Sequence, residues 1–269
     1  MKNSALVQVK PGKKIRLRDI ATDATGEYAS KEESLKPLQK LRERLFVLQE
    51  ALYAEHKRSV LIVFQAMDTG GKDGAVKSIL SGVNPEGVQV TSFKAPSAEE
   101  LDHDFLWRIH QKVPPHGIMG VWNRSHYEDV LIVRVHKLIE KSVWQRRFED
   151  VNNFERLLTD NGVTIMKFFL HISKDEQKKR LQSRLDVPEK TWKFNLADLK
   201  ERALWDDYED AYEDAISACS TDLAPWNIIS ANHKWARNIA VAQALVEKLE
   251  EMNPKYPKPD FDPKTIVID

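Results

Sequence analysis

The sequence predicts a three-layer α/β/α fold on a five-stranded parallel sheet, and three observations carry that expectation. Short apolar runs rich in β-branched residues alternate with longer helical patterns, which yields parallel strands covered on both faces. One run, Val60–Gln65, passes into a tight glycine-containing turn ending in Lys72, and a helix-compatible segment from Asp73 to Leu80 follows. The polar residues after the first three strands then fall on one edge of the sheet, where ligands bind in folds of this class.

Residues 1–30 read as an irregular, lysine-rich arm. Ser30 or Ser34 can cap a helix in which Leu35, Leu38, Leu41, Leu45, Leu48 and Leu52 recur at spacings of three and four. Pro37 lies near its first turn, where proline is tolerated. Val60–Gln65 is nearly all apolar, as a strand buried on both faces should be. Val88–Phe93 is the second expected strand. Ala98–His110 reads as a helix capped by Ser97, and Gly117–Trp122 as the third strand. Helices are expected from about His126 to Glu140 and from Val143 to Asn161, before a fourth strand, Val163–Ile172. The basic helix Lys174–Leu185 and the aromatic-rich helix Leu196–Ala218 precede a short fifth strand, Trp226–Ser230. A last helix runs to about Met252, followed by a proline-rich tail. The organisation expected is an arm (1–30), one domain (31–255) with a helical lid over about 174–218, and a tail (256–269).

Composition narrows the function classes. Lys and Arg total 41 against 41 Asp and Glu, so no global basic field argues for nucleic acid, and any polyanion must be met by a local patch. The single Cys219 excludes an intrachain disulfide framework. The apolar runs are far too short to span a bilayer, so no membrane partner is expected. With no signal-peptide core among residues 1–30, the expected location is cytoplasmic.

The turn after the first strand is built to hold a phosphate chain. Backbone N–H groups of Thr69, Gly70, Gly71, Asp73 and Gly74 can face a ligand, the following helix adds partial positive charge, and Lys72 adds a full one. The match to Gly-x4-Gly-Lys-[Ser/Thr] is imperfect. Ala66 stands at the first glycine, and Asp73 stands where a hydroxyl would hold magnesium, so a carboxylate such as Asp68 must help any metal bind. An ordinary strand–turn–helix with a solvated lysine is the alternative reading of this window.

Trp122-Asn-Arg-Ser-His-Tyr-Glu-Asp129 is the second dense cluster, at the end of the third strand. Asp129 can hold Mg²⁺, and Arg124 can make a two-pronged contact with phosphate. Asn123 and Ser125 can equally cap the next helix, with Glu128 and Asp129 complementing its dipole. That reading leaves Arg124 unexplained, because a cation at a helix N-terminus is unfavourable without an anion. Lys94, after the second strand, either reaches the same edge or is a solvated loop lysine. Arg180 and Arg184 share a face of the basic helix, which is either a lid over phosphates or an ordinary charged surface. His103, His110, His116 and His126 lack the spacing of zinc ligands and read as surface or packing residues.

Three motifs in this order, Gln65-Ala-Met-Asp-Thr-Gly-Gly-Lys-Asp-Gly74, Phe93-Lys-Ala-Pro-Ser97 and Trp122 through Val130, resemble the polyphosphate kinase 2 family. The similarity covers about residues 30–255. It implies a thymidylate-kinase-like P-loop core with a helical lid, and Mg²⁺-dependent phosphate transfer between inorganic polyphosphate and nucleotides. By this resemblance Asp68 and Lys72 belong to the Walker A loop and Asp129 to the Walker B region. Asp68 and Asp129 hold metal, and Arg124, Arg180 and Arg184 contact phosphate. Family members assemble as dimers or tetramers, which implies a homo-oligomer. The Asn123-Arg-Ser-His-Tyr127 form is similar to the subgroup that phosphorylates both AMP and ADP. The expected activity is therefore transfer from polyphosphate to AMP and ADP. An ATP-dependent nucleoside monophosphate kinase and a non-catalytic binder of nucleotide or polyphosphate are the alternatives.

Overall fold

The computed structural model describes residues 4–268. In chain order its elements are β1 (Leu6–Gln8), α1 (Lys31–Glu55), β2 (Ser59–Gln65), α2 (Lys72–Ile79), β3 (Val88–Ser92), α3 (Ala98–Leu101) and α4 (Trp107–His110). There follow β4 (Met119–Asn123), α5 (Glu128–Val135), α6 (Lys141–Asp160), β5 (Val163–His171) and α7 (Lys174–Asp186). The chain continues through α8 (Pro188–Thr191), α9 (Ala197–Ala203), α10 (Trp205–Cys219), β6 (Trp226–Ser230) and α11 (Lys234–Met252).

The sheet order is β1-β6-β5-β2-β4-β3. The five expected strands, β2 through β6, are all mutually parallel. A sixth corrects the expected count: β1, from the supposedly irregular arm, pairs antiparallel with β6, Leu6 opposite Ile229. Three residues are too few to show a period of two, so this edge strand left no signal. The chain leaves β2, forms β3 and β4 on one side, then crosses to β5 and β6 on the other. β2 thus ends at the switch in strand order, where the crevice opens.

Local chemistry sets the element ends. Ser30 Oγ accepts from the Glu33 amide at 3.2 Å and starts α1, which closes at left-handed His56, φ 52°. Ser173 Oγ caps α7 through the Glu176 amide at 3.1 Å. The helix expected over 98–110 is broken, because Asp104 Oδ1 accepts from the Leu106 amide at 2.9 Å and competes with the helical ladder. The helix expected over 126–140 stops at Val135, and Lys137 is left-handed at φ 53°. Leu204 interrupts the helix expected over 196–218.

Every residue of β2 is buried. Val60, Ile62 and Phe64 join the main core with Leu45, Leu48 and Leu52 of α1, while Leu61 and Val63 face a second cluster with Trp122, Phe154 and Leu158. Helices α1, α2 and α11 pack together, as do α5, α6 and α10. Among the described residues no helix is long and apolar enough to cross a membrane.

Candidate active site

The turn between β2 and α2 forms a cradle that only certain residues permit. Gly71 has φ 97°, and a Cβ there would overlap Arg237 Nη1. A Cβ on Gly70 would meet the Ala66 methyl at 2.5 Å and the Met67 carbonyl at 2.8 Å. Thr69 is also left-handed at φ 60°, an uncommon conformation for a side-chain-bearing residue. Lys72 Nζ donates to the Ala66 carbonyl at 3.1 Å, across the mouth of the turn. Burial and then Arg124 push the Lys72 ammonium down to about 8, although Asp68, Glu128 and Asp73 partly offset this.

Arg124 leaves the end of β4 in a left-handed conformation, φ 65°, with its amide donating to Phe64 O at 3.1 Å. Its Nη1 donates to Glu128 Oε2 at 3.0 Å and its Nη2 to Asp68 Oδ1 at 3.1 Å. The Glu128 carboxylate, and then Asp68 against the opposing effect of burial, hold its guanidinium more firmly charged than an ordinary arginine. Beside it the Asn123 amide donates to Asp73 Oδ1 at 2.6 Å, joining the β4 end to the first turn of α2.

These residues line one cleft of about 760 Å³. Twelve of the sequence-predicted residues meet there: the turn from Asp68 to Gly74, Lys94, Asn123, Arg124, Arg180 and Arg184. Glu128 and Asp129 are not among its lining residues. Glu128 instead lines an adjoining hollow of about 240 Å³, which shares Asp68, Arg124 and Asp198 with the cleft and is walled by Leu131, Ile132, Trp205, Tyr208 and Tyr212. Asp129 faces Arg108 Nη2 at 3.6 Å and Arg147 Nη1 at 3.7 Å. Burial raises the pKa of its carboxyl against those two cations, and its Oδ2 is buried without a hydrogen-bond partner.

The two lid arginines differ. Arg180 is buried, and its Nη1 donates to the carbonyls of Thr69 and Gly70 at 3.1 and 3.0 Å. Its Nη2 reaches those of Ala231 and Asn232 at 2.6 and 3.2 Å, and Glu176 takes its Nε at 2.7 Å. It fastens α7 to the turn between β2 and α2. Arg184 bonds Asp198 Oδ2 at 2.9 Å and leaves its side chain 24% exposed.

Sequence reasoning counted Lys179 in the charge of the basic helix without assigning it to the site, and missed four more cations in the same cleft: Lys190, Lys193, Lys234 and Arg237. Arg237 donates to the Gly71 carbonyl at 3.0 Å. Lys234 and Arg237 follow β6, so extending the carboxyl-edge argument from three strands to all five finds them. Burial, and then Arg180, lower Arg237 to about 10. Burial lowers Lys234 as well, with Arg180, Lys190 and Arg237 repelling its charge. The cleft thus gathers ten lysines and arginines against four carboxylates. Cations held below their ordinary pKa gain most when an anion arrives, so the cleft is built for a polyanion.

A magnesium ion fits this donor set. Mg²⁺ takes hard oxygens from one or two carboxylates and fills its remaining positions with water and substrate phosphates. Asp68 stands at the boundary of cleft and hollow with its side chain 25% exposed; Asp129 lies behind their lining, its buried Oδ2 without a hydrogen bond but 3.6 Å from Arg108 Nη2. Among the described residues no three His, Cys, Asp or Glu side chains form a closed metal cage.

The family model for Polyphosphate kinase 2 matches residues 28–257. An AMP/ADP-polyphosphate phosphotransferase of Meiothermus ruber is 51% identical over 97% of this chain and 98% of its own length. An ADP-polyphosphate phosphotransferase of Rhodopseudomonas palustris is 47% identical over 93% of this chain and 91% of its own. The crystal structure of polyphosphate kinase 2 from Arthrobacter aurescens superposes with a TM-score of 0.91 at 46% identity, covering 94% of this chain and 91% of that one. The parallel sheet switching at β2, the glycine-containing turn before α2 and the three sequence motifs agree with these likenesses: the chain belongs to the polyphosphate kinase 2 family.

Proposed function

We propose that this protein transfers the terminal phosphoryl group of inorganic polyphosphate to AMP and to ADP, forming ADP and ATP. One observation carries the choice of donor. The cleft around the turn is lined by ten cations and a single aromatic residue, Phe93, whereas the aromatic surface of Trp205, Tyr208 and Tyr212 lies in the smaller hollow. A kinase using ATP needs two seats for nucleosides. Here one smaller hollow, walled by aromatic rings and rimmed by Asp68, Glu128, Asp198 and Glu201, adjoins one cationic cleft, which suits one nucleotide and one bare phosphate chain. The names carried by the relatives from M. ruber and R. palustris support the same reading.

The acceptor's nucleoside then occupies the hollow, with its terminal phosphate toward Arg124. An oxygen of that phosphate, already ionised, attacks the last phosphorus of the chain. The bond from that phosphorus to its bridging oxygen breaks, and the shortened polyphosphate leaves. No side chain need remove a proton. The protein's work is alignment and charge neutralisation. Lys72 and the backbone amides of the turn hold the donor's end, and Arg124, oriented by Asp68 and Glu128, bridges donor and acceptor. Asp68, with Asp129, would hold Mg²⁺, which when bound neutralises phosphate charge. Arg184 and the lid lysines retain the chain, and Arg180 keeps the turn in shape. A homo-oligomer remains part of this reading through the family resemblance. A purely non-catalytic binder is disfavoured, because acids beside a polyanion only repel it unless a metal joins them.

The test is a donor exchange: initial rates with AMP and with ADP, in Mg²⁺, using polyphosphate or ATP as donor. Polyphosphate should support both acceptors. Turnover of AMP with ATP alone would favour the monophosphate-kinase reading, and binding without turnover the regulator.

A further inference from the structure

Lys167 sits in the middle of β5 and is fully buried. A lone charge there would be costly, but all three of its donors are used. Nζ reaches Glu155 Oε2 at 2.6 Å, the Cys219 carbonyl at 2.6 Å and the Tyr127 hydroxyl at 2.8 Å. Tyr127 in turn donates to Glu155 Oε1 at 2.9 Å, and His126 Nε2 lies 3.2 Å from the same oxygen. Burial works to raise the Glu155 carboxyl, but Lys167 and then His126 outweigh it and hold the group below the usual carboxylate range. Replacing such a buried ion pair by apolar residues is often neutral or stabilising. Stability alone therefore does not account for it.

What the network grips is informative. His126 and Tyr127 follow Arg124 by two and three residues. The Tyr127 amide and Gln65 Nε2 both donate to Ser125 Oγ at 3.2 Å, so the turn after β4 is fastened to β2 above and to β5 and α6 below. Immediately before these fixings, with its own amide on the Phe64 carbonyl, Arg124 holds φ 65°, a conformation that persists in an arginine only where its surroundings impose it.

We propose that Tyr127, held by Lys167 and Glu155, is a positioning residue that fixes the backbone of Arg124 and so aims its guanidinium at the transferring phosphoryl group. The inference rests on the reading that Arg124 acts in phosphoryl transfer. Loss of the phenol hydroxyl frees the turn to relax and withdraws Arg124 from the reacting atoms. The other cations of the cleft still bind polyphosphate, so turnover falls while the Michaelis constants hold.

A double-mutant cycle tests this. Tyr127→Phe is made in the wild type and in Arg124→Ala, and kcat and KM for polyphosphate and ADP are measured with urea unfolding of each protein. In the wild type, Tyr127→Phe should lower kcat about 10- to 100-fold, the scale of a misplaced catalytic group, with KM within about twofold. In Arg124→Ala it should change kcat less than about twofold, because the residue it positions is gone. The joint replacement Lys167→Met with Glu155→Leu removes both charges together and should behave the same way. Equal proportional losses in both backgrounds, or no loss in the wild type, would overturn the proposal. Full turnover by Arg124→Ala alone is a different result: it removes Arg124 from the chemistry and overturns the reading on which the proposal stands.

Discussion

Lys72 titrates near 8 rather than near 10.5 because burial and Arg124 disfavour its charge, and this has a measurable sign. Between those two values the folded protein binds fewer protons than the unfolded chain at this site. The contribution of Lys72 to stability is therefore smallest below about pH 8 and rises with pH through that window. A bound polyanion favours the ammonium and pulls the proton back. Polyphosphate binding near pH 9, inside the window, should take up protons, read by calorimetry in buffers of different ionisation enthalpy. Lys72→Met should reduce the uptake, leaving the smaller share of Lys234 and Arg237; an unchanged uptake assigns the proton elsewhere. Lys72→Ala should cost about 100- to 1,000-fold in turnover while the protein stays folded, the usual loss for one transition-state contact. Asn123 carries a second prediction at this scale. Its amide donates to Asp73, so Asn123→Asp sets two carboxylates against each other. AMP and ADP place their terminal phosphates at different depths, and the substitution should shift their relative initial rates, against AMP. Equal proportional changes at saturating polyphosphate would reduce Asn123 to a structural amide.

Arg180 and Arg184 lie one turn apart on α7 and do different work. Arg180 is buried against four backbone carbonyls, so Arg180→Ala should lower stability by roughly 3–5 kcal/mol, the cost of breaking a buried charged contact. Arg184→Ala, at a partly exposed pair, should cost about 1 kcal/mol or less and act on the Michaelis constant for polyphosphate. Urea unfolding and steady-state kinetics separate them, and matching losses would refute the division. The same helix shows how much the sequence disclosed. Its charge and position predicted a lid, but a spacing of four cannot say which arginine turns inward. The parallel strands were legible because burial on both faces leaves unbroken apolar runs. β1 was not, because three residues carry no period. The cations after β6 were within reach of the carboxyl-edge argument, had it been carried to that strand. Lys167 was a signal in plain view, a lysine inside the apolar run Val163–Ile172, but its partners Tyr127 and Glu155 lie 40 and 12 residues away and only the fold brings them together.

Over the whole molecule 41 basic residues balance 41 acidic ones, yet ten cations and four acids line a single cleft. The attraction for polyphosphate is local and is screened by salt over about 10 Å at 0.1 M. The Michaelis constant for polyphosphate should therefore rise steeply with ionic strength, and that for AMP, seated against an aromatic hollow, should rise less. Parallel increases would argue that both substrates rely on the same charges. The central claim is that one phosphoryl group passes directly from a polyphosphate chain in the cationic cleft to a nucleotide at Arg124. It is tested most directly by mixing terminally ³²P-labelled polyphosphate with unlabelled ADP and excess enzyme, and following the label through a single turnover. The account predicts label in the γ-phosphate of ATP at the rate at which polyphosphate shortens, and none with Lys72→Ala over the same interval. Label released as free orthophosphate, or ATP formed without label, would contradict it.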